Sequence, residues 1–198
     1  MKSKSTKNAA RTRQAILEAG VRGFSQRGYD GIGVREIAGN AGVTAMLVNR
    51  YFGSKEQLFV ACVESAFGAA PFALGGGATL TEQVAEHMVK DARAGGTGET
   101  AMQILIRSAS NQSAAEILRA AVVQRFADPL AAALGGEERA LRAALLLSVL
   151  AGFQLMRQVL KLPALTHAAP RSLTQRLEGI LGAATAEKYG AAKERDRG

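Results

Sequence analysis

The sequence predicts an all-α protein in two parts. Composition is the first reason. Ala, Leu and Gly dominate, aromatics are 5% of the 198 residues, Trp is absent, and β-branched runs are scarce. Such a chain favours helix over sheet. Spacing is the second reason: apolar residues recur at three- and four-residue intervals between glycine-rich breaks. The third is the stretch Val34–Phe52, VREIAGNAGVTAMLVNRYF, where one glycine separates two short helical patterns.

That stretch organises the N-terminal part. Val34, Ile37, Ala38 and Ala41 stack on one helix face. Gly42 breaks the pattern, as a residue able to take positive φ does just past a helix end. Val43 can plug the angle, and the Thr44 hydroxyl can cap the first turn of the next helix. That helix turns Leu47, Val48, Tyr51 and Phe52 inward and leaves Ala45, Met46, Asn49 and Arg50 outside. Two short helices joined by a tight glycine turn make a helix-turn-helix, whose second helix enters the DNA major groove. Two-helix corners of ordinary all-α proteins share the pattern, so charge is the next test.

The net charge is +8 and the pI about 10.1, which favours a polyanionic partner over a merely solubilising surface. Residues 1–60 carry 10 Lys/Arg against 4 Asp/Glu, whereas 61–198 carry 15 against 13. The basic excess therefore sits with the helix-turn-helix. Cys62 is the only cysteine, which excludes an intrachain disulfide and fits a cytoplasmic protein. It falls among Phe59, Val60 and Val63 and reads as a small core hydrophobe. No apolar run is expected to reach the ~18 residues that cross a bilayer, and no apolar signal core follows MKSKSTKNAARTR.

In order, residues 1–10 read as a basic flexible arm whose lysines, with Arg11 and Arg13, can track phosphates or enter a minor groove. Thr12–Arg27 is the first helix, with Ile16, Leu17, Ala19, Gly20 and Phe24 on its apolar face. Gly28 stops it, and Gly33 is a tolerated N-cap for the next. After Gly53, Ser54 and Gln57 form a capping box for a helix to about Gly68. Its dipole and Lys55 together suit a phosphate.

Arg11–Glu64 resembles the DNA-binding domain of the TetR family of bacterial transcriptional regulators. The resemblance rests on an opening helix ending Phe-x-x-x-Gly-Tyr, then V-R-E-I-A, then A-G-V, then Tyr51-Phe52-x-Ser54-Lys55-Glu56-x-Leu58. It covers the first third of the chain. This chain departs from it with Asn49 where the family usually has Tyr, Gly33 where many members have Ser or Thr, and an added fork at Arg50. The resemblance therefore implies the docking mode and leaves the operator sequence open. It implies residues 11–53 as the DNA-binding domain and 54–188 as a helical effector-binding and dimerisation domain; the charged KERDRG ending makes 189–198 read as a disordered tail.

Beyond residue 68, Pro71 and Gly75–Gly77 mark a connector. Thr79 and Glu82 open a helix to about Ala94, and Gly95–Gly98 break again. Thr100–Ser110 is a short helix. Ser113 and Glu116 cap the next, which Pro129 interrupts and Gly135–Gly136 end. Glu137–Lys161 is the longest helix, apolar on more than one face, so a second subunit is its natural cover. Pro163 and Pro170 bracket a loop before a last helix, about Ser172–Ala186.

The expected DNA-binding residues are Arg35, Thr44, Ala45, Met46, Asn49, Arg50, Tyr51 and Lys55. Asn49 suits adenine and Arg50 guanine or phosphate. The expected partners are a palindromic duplex, a second copy of the chain and an unknown small-molecule effector, with no membrane and no cofactor. Candidate effector contacts are His87, Met88, Met102, Leu105, Phe126, Phe153 and Met156, with a mild preference for an apolar molecule. Ordinary core packing is the competing reading of each. His87 and His167 lack partners at metal-ligand spacing, and no nucleophile elbow or phosphate loop is present, so no enzyme is expected. The expected function is a dimeric repressor released by its effector. The alternative is an architectural DNA-binding or helical interaction protein without an effector.

Overall fold

The computed structural model describes residues 2–68, 79–91 and 97–186, and the regular structure among them is helical. In chain order the helices are α1 (Lys2–Arg27), α2 (Val34–Asn40), α3 (Ala45–Phe52), α4 (Lys55–Phe67), α5 (Leu80–Asp91), α6 (Thr97–Ser108), α7 (Gln112–Val122), α8 (Asp128–Leu134), α9 (Arg139–Gln154), α10 (Pro163–Thr166) and α11 (Pro170–Thr185). One π-helical turn, Val123–Ala127, lies between α7 and α8, and a second, Leu155–Val159, follows α9. The features expected in 69–78, 92–96 and 187–198 lie outside the described residues.

The described residues divide into two compact units: 2–68 with 97–121, and 79–91 with 122–186. The first is built on a core of Ile16, Phe24, Ile37, Val48, Leu58, Phe59, Val63 and Ile104. The Phe59 ring meets Phe24 and Tyr29 edge-on, each at 4.9 Å between centroids. A boundary was expected after residue 53, but α4, α6 and α7 all belong to this unit. Polar contacts distant in sequence explain why. The Tyr29 N–H donates to Ser108 Oγ at 3.1 Å, and Asn111 Nδ2 donates to the Asp30 carboxylate at 3.0 Å.

Four further elements differ from expectation. Helix α1 begins at Lys2 rather than Thr12, so residues 2–10 are helical rather than a flexible arm. No Gly or Pro interrupts residues 2–19. The Thr12 hydroxyl donates back to the Asn8 carbonyl at 3.0 Å, a bond made inside a helix and not at its start. Helix α6 starts at Thr97, which places Gly98 within it. Asn111, not Ser113, caps α7: its Oδ1 accepts from the Ala114 N–H at 2.9 Å. Pro163 opens the single turn of α10 in what was expected to be a loop. Pro129 does interrupt its helix. It has no N–H for the carbonyl four residues back, and the π turn Val123–Ala127 takes up the mismatch.

The second unit packs α5, α8, α9 and α11 around Val84, Met88, Leu130, Ala143, Leu146, Leu150, Leu177 and Leu181. Buried Arg142 ties its ends together. Its guanidinium donates to the Thr185 carbonyl at 2.9 Å, to the Glu137 carbonyl at 3.1 Å, and to that of Gly135. The helix expected over Glu137–Lys161 is α9 and its π turn. Arg139–Val159 is 21 continuous helical residues, long and apolar enough to cross a membrane by length and composition. This corrects the expectation that no run would be. Arg142 and Arg157 bound its uncharged stretch, and both are buried against backbone carbonyls of the same unit.

Cys62 is fully buried, and burial pushes its thiol from an ordinary 9.0 up to about 12. The folded thiol therefore keeps its proton at pH values where the unfolded one has lost it. Its contribution to stability is full below about pH 9 and falls, by up to ~1.4 kcal/mol per pH unit, as pH rises toward 12. Tyr29 is raised in the same sense by burial, then by Glu56 and Asp30, so it adds to the decline above its ordinary 10.0. Chemical denaturation at pH 8.5–10.5 should show this slope, and Cys62→Ala should flatten it. An unchanged slope would remove Cys62 as its source.

Candidate nucleic-acid interface

The geometry begins at the turn between α2 and α3. Gly42 takes φ +68°, where a side chain would be strained, and this lets the Val43 N–H return to the Ala38 carbonyl at 2.9 Å. Val43 is then half-buried against the core. Thr44 has the extended backbone of an N-cap, and its carbonyl accepts from the Leu47 N–H at 3.0 Å. Its hydroxyl makes no capping bond, contrary to expectation. The side chain is exposed at the tip of α3 instead.

Helix α3 is held by one face. Val48 and Phe52 are buried, and Ala45 and Tyr51 are half-buried against the same core. Ala45 was expected outside; with Val48 and Phe52 it forms the inward stripe at spacings of three and four. Met46 is 80% exposed, and Asn49 and Arg50 are exposed beside it. Gly53 ends the helix at φ +82°, and Ser54 Oγ caps α4 by accepting from the Gln57 N–H at 3.1 Å. The sequence placed that cap correctly.

Cations surround this exposed face. Lys55 opens α4 and holds its ammonium 4.5 Å from the centre of the Tyr29 ring. Arg13 lies over the Phe52 ring at 4.8 Å, which brings α1 to the end of α3. Arg35 is exposed on the first turn of α2. Its neighbour Glu36 is paired with Arg27 through two hydrogen bonds, which offsets the one carboxylate on that helix. The result is a face with hydrogen-bonding side chains at its centre and cations beside it, with exposed Glu56 next to Lys55. Arg13 was named in the sequence only as a phosphate-tracking cation; its seat on Phe52 joins residues 39 apart and has no local signal.

The expected effector contacts are divided between the two units. Met102 is buried and Leu105 half-buried on α6, in the first. In the second, Met88 is buried in the core with half-buried Phe153 packed against it. Gln154 Nε2 approaches Met88 Sδ at 3.6 Å. Phe126 is half-buried in the first π turn, while His87 and Met156 are exposed. A separate open cleft of about 420 Å³ lies between α5 and α11. It is lined by Glu82, Glu86, Lys90, Arg171 and Glu178 among others, and by none of those seven. Among the described residues no group of three or more His, Cys, Asp or Glu could hold a metal ion.

Residues 16–62 match the family described as "Bacterial regulatory proteins, tetR family", and residues 78–183 match "Tetracyclin repressor-like, C-terminal domain". The chain is 41% identical over 56 residues to the HTH-type transcriptional regulator BetI of Rhizobium meliloti. That match spans only 28% of either protein. Among solved structures, a transcriptional regulator from Rhodococcus sp. Rha1 superposes with a TM-score of 0.63 at 25% identity, covering 86% of this chain and 94% of that one. NalD, the secondary repressor of the MexAB-OprM multidrug efflux pump in Pseudomonas aeruginosa, superposes at 0.64. Its identity is 18% and the coverage 92% and 100%, so it shares the fold. The helix-turn-helix with its basic rim and the helical second part, matched together over most of the chain, make this protein a member of the TetR family of bacterial regulators.

Proposed function

We propose that the protein is a dimeric, sequence-specific repressor of transcription in the cytoplasm, released from its operator by a small molecule. The observation that carries the reading is the outward face of α3. Thr44, Met46, Asn49 and Arg50 are presented on a helix whose opposite face is locked into the core. Asn49 and Arg50 have the donor and acceptor groups that read adenine and guanine edges. In this reading Arg35, Tyr51 and Lys55 hold phosphates.

A second copy is supported by α9 and α11. From Ala143 to Met156 there is no charged residue. Leu141 and Leu145 on α9 are 54% and 48% exposed, and Ile180 on α11 is 54% exposed beside Gly179 and Ala183. An apolar strip on two packed helices suits an isologous dimer. This covering also accounts for the membrane-like composition of α9 without a membrane. Two recognition helices on one duplex face then call for centres about 34–36 Å apart and an inverted repeat. Effector release is supported by the match of residues 78–183 to the tetracyclin repressor-like domain.

Selection of bound duplexes from a random pool at about 150 mM salt tests the reading. An inverted repeat is expected. Binding without a motif, fading as salt rises, would leave only a basic surface. Repeating the selection with Arg50→Ala should relax one position of each half-site and weaken binding by about 1–3 kcal/mol. An unchanged motif would remove Arg50 from base reading.

A further inference from the structure

We propose that the N-terminal extension of α1 is a rigid phosphate-binding rod, which clamps duplex backbone outside the bases that α3 reads. The inference rests on the DNA-binding reading above and adds a second contact to it. Residues 2–13 hold Lys2, Lys4, Lys7, Arg11 and Arg13 and no carboxylate; Glu18 is the first acid, and Gln14 Nε2 donates to it at 3.0 Å. The backbone over this stretch is one helix continuous with the core helix α1. That continuity decides the mode of contact. An extended arm can thread a minor groove, whereas a helix is too wide for a groove about 6 Å across.

The rod is joined to the recognition helix at its base. Arg13 is seated on Phe52, the last residue of the recognition helix, so the basic stretch of α1 meets α3 at that helix's end. At 1.5 Å per residue, the helix from Lys2 to Arg13 adds roughly 16 Å. Lys7 and Arg11 are one turn apart, exposed, and form no ion pair among the described residues. Helical spacing keeps their charges on one side. A duplex phosphate backbone is the partner that this unbalanced charge fits.

The test compares the full chain with its Lys7→Gln/Arg11→Gln double variant. Glutamine keeps helix propensity at both positions. The probe is the duplex recovered by selection, titrated between 100 and 300 mM salt. Each lost phosphate contact lowers the slope of log K against log salt by ~0.9, so a fall of about 1.8 per protomer is expected, with the same preferred bases and thermal midpoint. An unchanged slope and affinity would overturn the proposal. So would a changed base preference in the flanks, since that would mean groove reading. If the full chain itself binds no duplex with a motif, the DNA-binding reading fails instead, and the two failures are distinguishable.

Discussion

Gly28→Ala should lower the stability of the DNA-binding unit by about 2–5 kcal/mol. Gly28 ends α1 at φ +74°, a conformation that costs an L-residue ~1–2 kcal/mol. A Cβ built there would also run into the carbonyl oxygen of Arg107 and lie 3.1 Å from the Arg107 Cβ. That oxygen is backbone and cannot swing away, so overpacking of ~1–3 kcal/mol adds to the strain. The site is also where two polar contacts meet, because Tyr29 binds Ser108 and Asp30 binds Asn111. Urea unfolding of the variant against the parent reads the effect. Gly39→Ala is the internal contrast. Gly39 lies inside α2, and a Cβ there would meet nothing within 4 Å. It should gain ~0.5–1 kcal/mol from helix propensity. Equal effects at the two positions would contradict the packing of α6 on the Gly28 turn.

In the proposed dimer, Leu145→Glu should separate the two copies and weaken operator binding by at least about 100-fold. Leu145 is 48% exposed in the single chain, so a carboxylate there leaves the protomer fold intact. In an isologous interface the same charge would face its own copy in an apolar setting, a burial that costs several kcal/mol unpaired. A monomer engages one half-site, and linked half-sites gain 10²–10⁴ over one. Sedimentation together with duplex titration checks both halves of the expectation. A variant that stays dimeric would move the interface away from α9. A monomer that keeps full affinity would sink the dimeric-operator reading while leaving the fold untouched.

Local chemistry made much of this chain legible in its sequence. The helix-turn-helix could be read because its signals are short-range: Gly42 with positive φ, the inward Val48 and Phe52, and the Ser54 cap bonded to Gln57. The same holds for Thr79, whose hydroxyl accepts from the Glu82 N–H at 3.3 Å, and for the end of α8 at Gly135. The family resemblance was visible in the first third for the same reason, since its motif is a run of caps, turns and inward residues. Cys62 as a buried hydrophobe followed from its apolar neighbours.

Partnerships between distant residues were not legible. Asn111 and Ser113 are both reasonable caps, and the Asp30 carboxylate, 81 residues away, holds Asn111 in that role. The effector contacts show the limit most clearly. Met102 and Met88 carry the same apolar signal, yet one joins the DNA-binding unit and the other the second core. The sequence by itself determined the helical class, the glycine turns and most of the outward face of α3, because each depends on spacing and φ within a few residues. Only the tertiary structure decided which helices share a core and that α6 and α7 belong with the DNA-binding head. Those outcomes depend on contacts between residues tens of positions apart, and periodicity carries no record of them.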